Sequence, residues 1–291
     1  MAHSLTRFAF AGQVRNIGLG ASVLGVGAYA ASSFLSANDE GKNMPKRENQ
    51  KEPWPPQDKL KVPEETMGPH GFAKQWKNAK GYKIMSYFWP TTAKKPKGVL
   101  LLLHGHGVHV VFEFLKSRGV GQERVYAESW IEELNNQGYS CCGIDVQSKG
   151  RSEGYKGYKN YFESFDDVVA DDLAFVSKLP DLGGAAFTDL PIFAFAVSMG
   201  GARAAMMFLE KEEVFKGALF YAPMLSLERV SKKGLNPYLK PLINLFDMVG
   251  PHWRMAAASK NTVFPDLQEE FDNDFFADQG ESCELFLLLL H

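Results

Sequence analysis

The sequence predicts an α/β fold built on a doubly wound, mostly parallel sheet. Three observations carry this. Short, wholly apolar runs are bounded by turn residues; segments of helical spacing lie between them; and one run leads straight into a serine followed by small, helix-opening residues. Apolar runs of this length suit strands buried on both faces, as a parallel sheet requires. Strands that alternate with helices give a parallel sheet with right-handed crossovers.

Residues 82–89 read as a strand that ends at Pro90. Residues 98–103 (Gly-Val-Leu-Leu-Leu-Leu) read as a buried strand. Residues 123–137 have helical spacing through Val125, Trp130, Ile131 and Leu134, and Gly138 is placed to end that helix. Residues 139–144 form the next strand, and residues 165–179 a second helix through Val168, Val169, Leu173 and Val176. Residues 191–197 are a third buried strand running into a glycine-rich helix start, and residues 215–221 a fourth.

Composition narrows the function. Of 291 residues, 45% are hydrophobic and 23% charged, enough apolar content for a core. Lys+Arg number 32 against 34 Asp+Glu, so no positive excess exists for a phosphate backbone, and nucleic-acid binding is not expected. Three cysteines exclude a disulfide framework. Cys141 and Cys142 are adjacent and point to opposite faces of a strand. With Cys283 they read as reduced, packed thiols and not as metal ligands.

Four regions are expected: an apolar targeting or anchor segment at 1–37, a charged, proline-rich linker at 38–68, the core at 69–225, and a partial lid with an aberrant or truncated end at 226–291. Arg7 and Arg15 are the only charged side chains before Asp39, and residues 17–35 carry none. Such a stretch approaches the roughly 20 residues of a membrane span. An uncleaved anchor, a signal peptide cut at Ala28-Tyr29-Ala30 and a transit peptide all fit, beside a frayed helix without an address. Attachment to a membrane surface is the expectation, with organelle or secretory targeting as the other reading.

In an open parallel sheet, sites lie at the carboxyl ends of strands. At one such end stands Ala196-Val197-Ser198-Met199-Gly200-Gly201, the pattern of a nucleophile elbow, G-x-S-x-G, with alanine at its first glycine. A serine on that turn is expected to stand exposed above the sheet and face the turn after Leu103. The simpler alternative is an ordinary turn opening a helix. At the second end, His104-Gly105-His106-Gly107-Val108-His109 is a glycine-rich turn suited to a second oxyanion donor. Three alternating histidines also suggest a metal, but two glycines break the extended geometry and no acidic or thiol group nearby completes a tetrahedral set, so no metal is expected. The third end, 145–154, is a turn-rich loop. No nucleotide, haem or flavin motif is present, and no cofactor is expected.

Together these motifs resemble the monoglyceride lipase and lysophospholipase group of α/β-hydrolases, the serine aminopeptidase-like group. The residues that carry the likeness are His104-Gly105-His106-Gly107 with His109, then Asp145 with Gly150, Ser152 and Gly154, the Ser198 elbow, and Tyr221-Ala222-Pro223-Met224. Ala196 and Ser148 each replace a usual glycine, and residues 110–121 are extra sequence that could reshape the entrance. The resemblance implies a serine esterase of single-chain lipid esters. Ser198 would attack the carbonyl, the amides of Met199 and His106 would hold the oxyanion, and His104, Gly105, Gly107 and Gly200 would shape the turns. Residues 237–263, greasy through Leu239, Leu242, Ile243, Leu245, Phe246, Met248 and Val249, would form a mobile lid, unless they are simply core.

A serine hydroxyl needs a positioned base. After Ser198 only His252 and His291 remain, and the group's G-x-x-D turn and late histidine are not found. Asp247, Asp266 and Glu269 lie within lid sequence, which argues against them as the acid. Residues 279–291 read either as entry into a further strand or as unrelated sequence; measured against the group, both leave a partial helical lid and a sheet with its last strands missing, and an apolar edge exposed. Two functions therefore stand: a lipid-ester hydrolase, or a catalytically silent α/β-hydrolase-like binding protein. Loss of a triad's base costs about six orders of magnitude in turnover in a serine protease that carries the same kind of triad on another fold, so near-inactivity is expected of the chain as written.

Overall fold

A computed structural model describes residues 54–226, 254–257, 262–277 and 280–282. The expected N-terminal anchor, the linker up to residue 53, most of the expected lid with Asp247 and His252, and Cys283 and His291 lie outside the described residues.

Six strands form one sheet: β1 (Phe72–Lys77), β2 (Lys83–Trp89), β3 (Gly98–Leu103), β4 (Tyr139–Ile144), β5 (Ile192–Val197) and β6 (Phe215–Tyr221). Their order is β1-β2-β4-β3-β5-β6. β1 and β2 are antiparallel to each other, β2 is antiparallel to β4, and β4, β3, β5 and β6 are parallel. The register sets Leu103 opposite Ala196 and Val197 opposite Tyr221. Three strand ends therefore stop at one level, and the residues that follow them meet there.

The helices are α1 (Glu64–Met67), α2 (Val110–Phe114), α3 (Trp130–Asn136), α4 (Phe165–Ser177), α5 (Leu179–Gly183), α6 (Met199–Glu210) and α7 (Pro265–Asn273). Alternation along β3 and β4 sorts the core. Leu101, Leu103 and Cys142 face α4 and α6, packed with Val168, Phe175, Ala204 and Met207. Leu102 and Cys141 face the other way, with Val110, Phe114 and Ile131 of α2 and α3. Each fully buried leucine stabilises the fold by roughly 1.5–3 kcal/mol. The adjacent cysteines thus do point to opposite faces, and burial raises both thiols above their usual range.

Four local differences from the sequence reading have physical causes. Strand β1 was not expected, because exposed Lys74, Gln75 and Lys77 interrupt it and leave no apolar run. The helix over 123–137 begins only at Trp130, where the Ser129 side chain accepts the Glu132 amide, while Val125 pairs with Lys116 in a two-way bridge. The helix over 165–179, capped by Ser164, ends at Ser177; Pro180, with no N–H to continue it, starts the separate turn α5. Within the stretch read as linker, Trp54 is 5% exposed and Met67 packs against Trp89 and Tyr87. Apart from the main sheet, β7 (Arg254–Ala257) pairs antiparallel with β8 (Gly280–Ser282). β6 is the outer strand of the main sheet among the described residues, and its Leu219 is exposed. No helix among the described residues is long and apolar enough to cross a membrane.

Candidate active site

Ser198 sits between β5 and α6 with φ 51° and ψ −115°. A non-glycine residue at positive φ is strained, and such strain persists only where surrounding structure enforces it. Here the main chain enforces it. The Ser198 amide donates to the Tyr221 carbonyl at 3.1 Å, and the Ser198 carbonyl accepts the amides of Gly201 and Met224, both at 2.8 Å. The two glycines are demanded by space. A Cβ on Gly200 would lie 2.1 Å from the Leu103 carbonyl oxygen, and one on Gly201 would lie 2.4 Å from Pro223. Ala196 lies within β5 in extended backbone, so its departure from glycine carries no conformational cost. Ser148, the other departure, does take positive φ, at 67°.

The Ser198 Cβ faces Gly105, 3.3 Å from where a side chain on that glycine would begin. The serine therefore faces the turn after Leu103, as expected, but it does not stand open. It is 3% exposed, because the 104–113 segment closes against it. As the first residue of α6, Met199 presents an amide with no intrahelical acceptor.

The turn itself is organised by side chains. His104 is fully buried; its Nε2 accepts the Val146 amide at 3.1 Å, so Nδ1 carries the hydrogen and donates to the Gly105 carbonyl at 2.8 Å. Burial, with the nearby Arg203 guanidinium, holds its pKa well below the usual histidine value. His106 is likewise pushed down by burial and by Lys149, whose Nζ donates to its Nδ1 at 3.4 Å; its Nε2 is buried without a partner among the described residues. Asp145, at the end of β4, accepts from the Val110 amide (3.0 Å), the Tyr87 hydroxyl (2.7 Å) and the Arg151 amide (2.8 Å), which ties the turn to the 145–154 loop. Arg203 of α6 holds Asp172 through two bonds of 2.7 and 2.6 Å and donates to the His104 carbonyl at 3.2 Å.

Two groups went unread in the sequence. Glu113 of α2 accepts the Gly105 amide at 3.1 Å, and burial pushes its pKa up to about 7. A lone carboxylate inside Val-Val-Phe-Glu-Phe was the available clue. Asp274, just after α7, accepts from His109 Nε2 at 3.2 Å and from the amides of Phe276 and Ala277. Burial opposes its charge, but His109 and those amides outweigh it and hold the carboxyl below its usual range. The same strap is pinned by Trp54 stacked on Phe275, by Lys159 bonded to the Phe275 and Ala277 carbonyls, and by Arg124 paired with Glu270 at 2.7 Å.

The three histidines of the turn thus have separate partners, and no three His, Cys, Asp or Glu side chains among the described residues are grouped to hold a metal. No histidine among the described residues is hydrogen-bonded to Ser198. Asp266 and Glu269 lie on α7, with Asp266 in its first turn.

Comparison with known proteins places this arrangement. The model of a family described as serine aminopeptidase, S33 matches residues 94–285, about two thirds of the chain. The caffeoylshikimate esterase of Arabidopsis thaliana is 30% identical over 129 residues, which is 44% of this chain and a third of that relative's length. A monoacylglycerol lipase from Paleococcus ferrophilus superposes with a TM-score of 0.53 at 18% identity, covering 71% of this chain and 68% of that one. A soluble variant of monoglyceride lipase from Saccharomyces cerevisiae gives 0.54 at 15% identity, covering 77% and 69%. A thermostable carboxyl esterase from Bacillus coagulans gives 0.53 at 14% identity, covering 77% and 73%. With the sheet order, the elbow and this match in hand, the chain belongs to the serine aminopeptidase S33 family, on the α/β-hydrolase fold.

Proposed function

We propose that the protein is a carboxylic ester hydrolase of lipid esters, acting through an acyl-enzyme on Ser198. The observation that carries this is the strained backbone of Ser198 at the strand–helix junction, its side chain facing Gly105. Ser198 Oγ attacks the ester carbonyl, and the amides of Met199 and His106 receive the negative charge that develops on its oxygen. Collapse breaks the ester bond and leaves the acyl group on Oγ, while the proton given up by Oγ ends on the departing alcohol; water then hydrolyses the acyl-serine to the free acid and restores the hydroxyl. The lipid substrate rests on the neighbouring folds, which are named as monoacylglycerol and monoglyceride lipases. An esterase relative supports ester chemistry more broadly. Attachment to a membrane surface would set the enzyme beside such substrates; residues 17–35, which suggest it, lie outside the described residues.

The second reading, a silent binding protein, is favoured by the lack of a histidine partner for Ser198 among the described residues. The two separate in one experiment. Purified protein is treated with a fluorophosphonate and assayed on a short-chain p-nitrophenyl ester, with Ser198→Ala as control. Adduct mass on the Ser198 peptide is expected, with turnover that is slow, as a serine without a partnered histidine among the described residues implies, and absent from the control. No adduct and equal rates would defeat the hydrolase and leave the binding protein.

A further inference from the structure

The corner between Gly105 and Ser198 holds a carboxyl group that ester cleavage by Ser198 leaves without a task. The point where a Gly105 side chain would begin is 3.2 Å from Glu113 Oε2 and 3.3 Å from Ser198 Cβ. Those two atoms are therefore at most about 6.5 Å apart, the sum of the two contacts. Oε2 accepts the Gly105 amide, and the second oxygen has no hydrogen-bond partner among the described residues. The residue keeps part of its surface accessible. It thus lies on the Gly105 side of Ser198, next to the turn whose His106 amide is proposed above as an oxyanion donor.

We propose that Glu113, in its protonated form, donates a hydrogen bond to the oxyanion formed when Ser198 attacks, beside the amides of Met199 and His106. The inference rests on the reading of Ser198 as nucleophile. No proton is transferred: Oε2 remains the acceptor of the Gly105 amide, and the hydroxyl on Oε1 turns toward the developing charge. A carboxylic acid kept neutral by an apolar site can serve in this way. An ionised carboxylate in the same corner would instead repel the oxyanion.

The surroundings favour the neutral acid. Burial dominates and moves Glu113 to about 7, against the opposing pull of the Gly105 amide, the Arg124 guanidinium ahead of α3 and the His109 ring of the same turn. Arg124 is itself engaged by Glu270 of α7 and lies 4.0 Å from the Phe112 ring centre, so its charge is shared. At the end of β6, the Tyr221 hydroxyl is pushed up by burial and by Glu113. The donor is therefore present below pH 7 and lost as pH rises through it.

The test is the rate of fluorophosphonate labelling of Ser198 in the full chain from pH 5.5 to 8.5, for wild type, Glu113→Gln and Glu113→Ala. Removing one oxyanion donor typically costs about 10²–10³-fold. Glu113→Ala is expected to be slower by at least about 10²-fold at pH 6. Glu113→Gln keeps a donor that cannot ionise, so the ratio of its rate to that of wild type should rise about tenfold between pH 6 and pH 8. A ratio flat with pH, or Glu113→Ala as fast as wild type at pH 6, overturns the inference while Ser198 still labels. No labelling of wild type at any pH overturns the serine reading itself, and this inference with it. Should Glu113→Gln not fold, as judged by circular dichroism, wild type alone decides. A rate that falls above pH 7 supports the donor, and one that keeps rising to pH 8.5 overturns it.

Discussion

The two walls of the candidate site are built differently. The Ser198 elbow is held by main chain: its amide and carbonyl reach Tyr221, Gly201 and Met224, and Gly200 lies against the Leu103 carbonyl. The facing turn, residues 104–113, is held through side chains, its own and those of distant segments. His104 takes the Val146 amide, Asp145 takes the Val110 amide, Arg203 grips the His104 carbonyl, and Asp274 takes His109 from 165 positions away. A backbone lock asks only that certain residues be small. A side-chain lock asks for one particular group at one particular distant position.

If that contrast is right, a single truncation should undo the turn. Asp145 is fully buried and serves three donors, so Asp145→Ala leaves the Tyr87 hydroxyl and the amides of Val110 and Arg151 without an acceptor. Each unsatisfied buried group costs about 1–3 kcal/mol. A total loss of about 3–5 kcal/mol is expected, read as a drop in the urea midpoint at unchanged slope. A loss under about 1 kcal/mol would show that the turn holds without its side chains. The elbow's lock breaks the opposite way, by addition. Gly200→Ala forces a methyl to within 2.1 Å of the Leu103 carbonyl oxygen, and backbone must move. Overpacking of this kind costs about 1–3 kcal/mol. Labelling of Ser198 should fall with it, because the displaced residue is the serine's own neighbour. Full labelling in a stable Gly200→Ala protein would mean that the close approach is not what sets the elbow.

The same contrast explains what was legible in the sequence. Strands β3, β4 and β6 appear with the boundaries that their apolar runs suggested, and the serine falls where small residues after a strand had placed it. Those features are written in contiguous residues. The closure over Ser198 was not legible, since it comes from the way 104–113 folds back, nor was the role of Glu113, whose partner is a backbone amide eight positions earlier. The Asp274–His109 pair needed the chain's path from Ser198 to α7. Strand β1 escaped for another reason: an edge strand with exposed lysines has no apolar run to show.

The smallest expected effects come from the two positions where glycine is usual in the group that the sequence resembles, and they should differ. Ala196 is extended within β5 and fully buried, so glycine there relieves nothing. Ala196→Gly adds unfolded-state entropy and removes a buried methyl, a cost of about 1 kcal/mol. Ser198 labelling should stay at the wild-type rate, because none of the contacts that hold the serine involves that methyl. Ser148 sits at φ 67°, where glycine is at ease, but its Oγ accepts the Tyr155 amide at 3.0 Å. In Ser148→Gly the relief and the lost bond offset each other to within about 0.5 kcal/mol. Thermal denaturation of the pair therefore separates the two causes. Equal losses at both positions would mean that backbone strain at 148 is not real, whereas a loss confined to 196 shows that alanine at the elbow's first position is no defect.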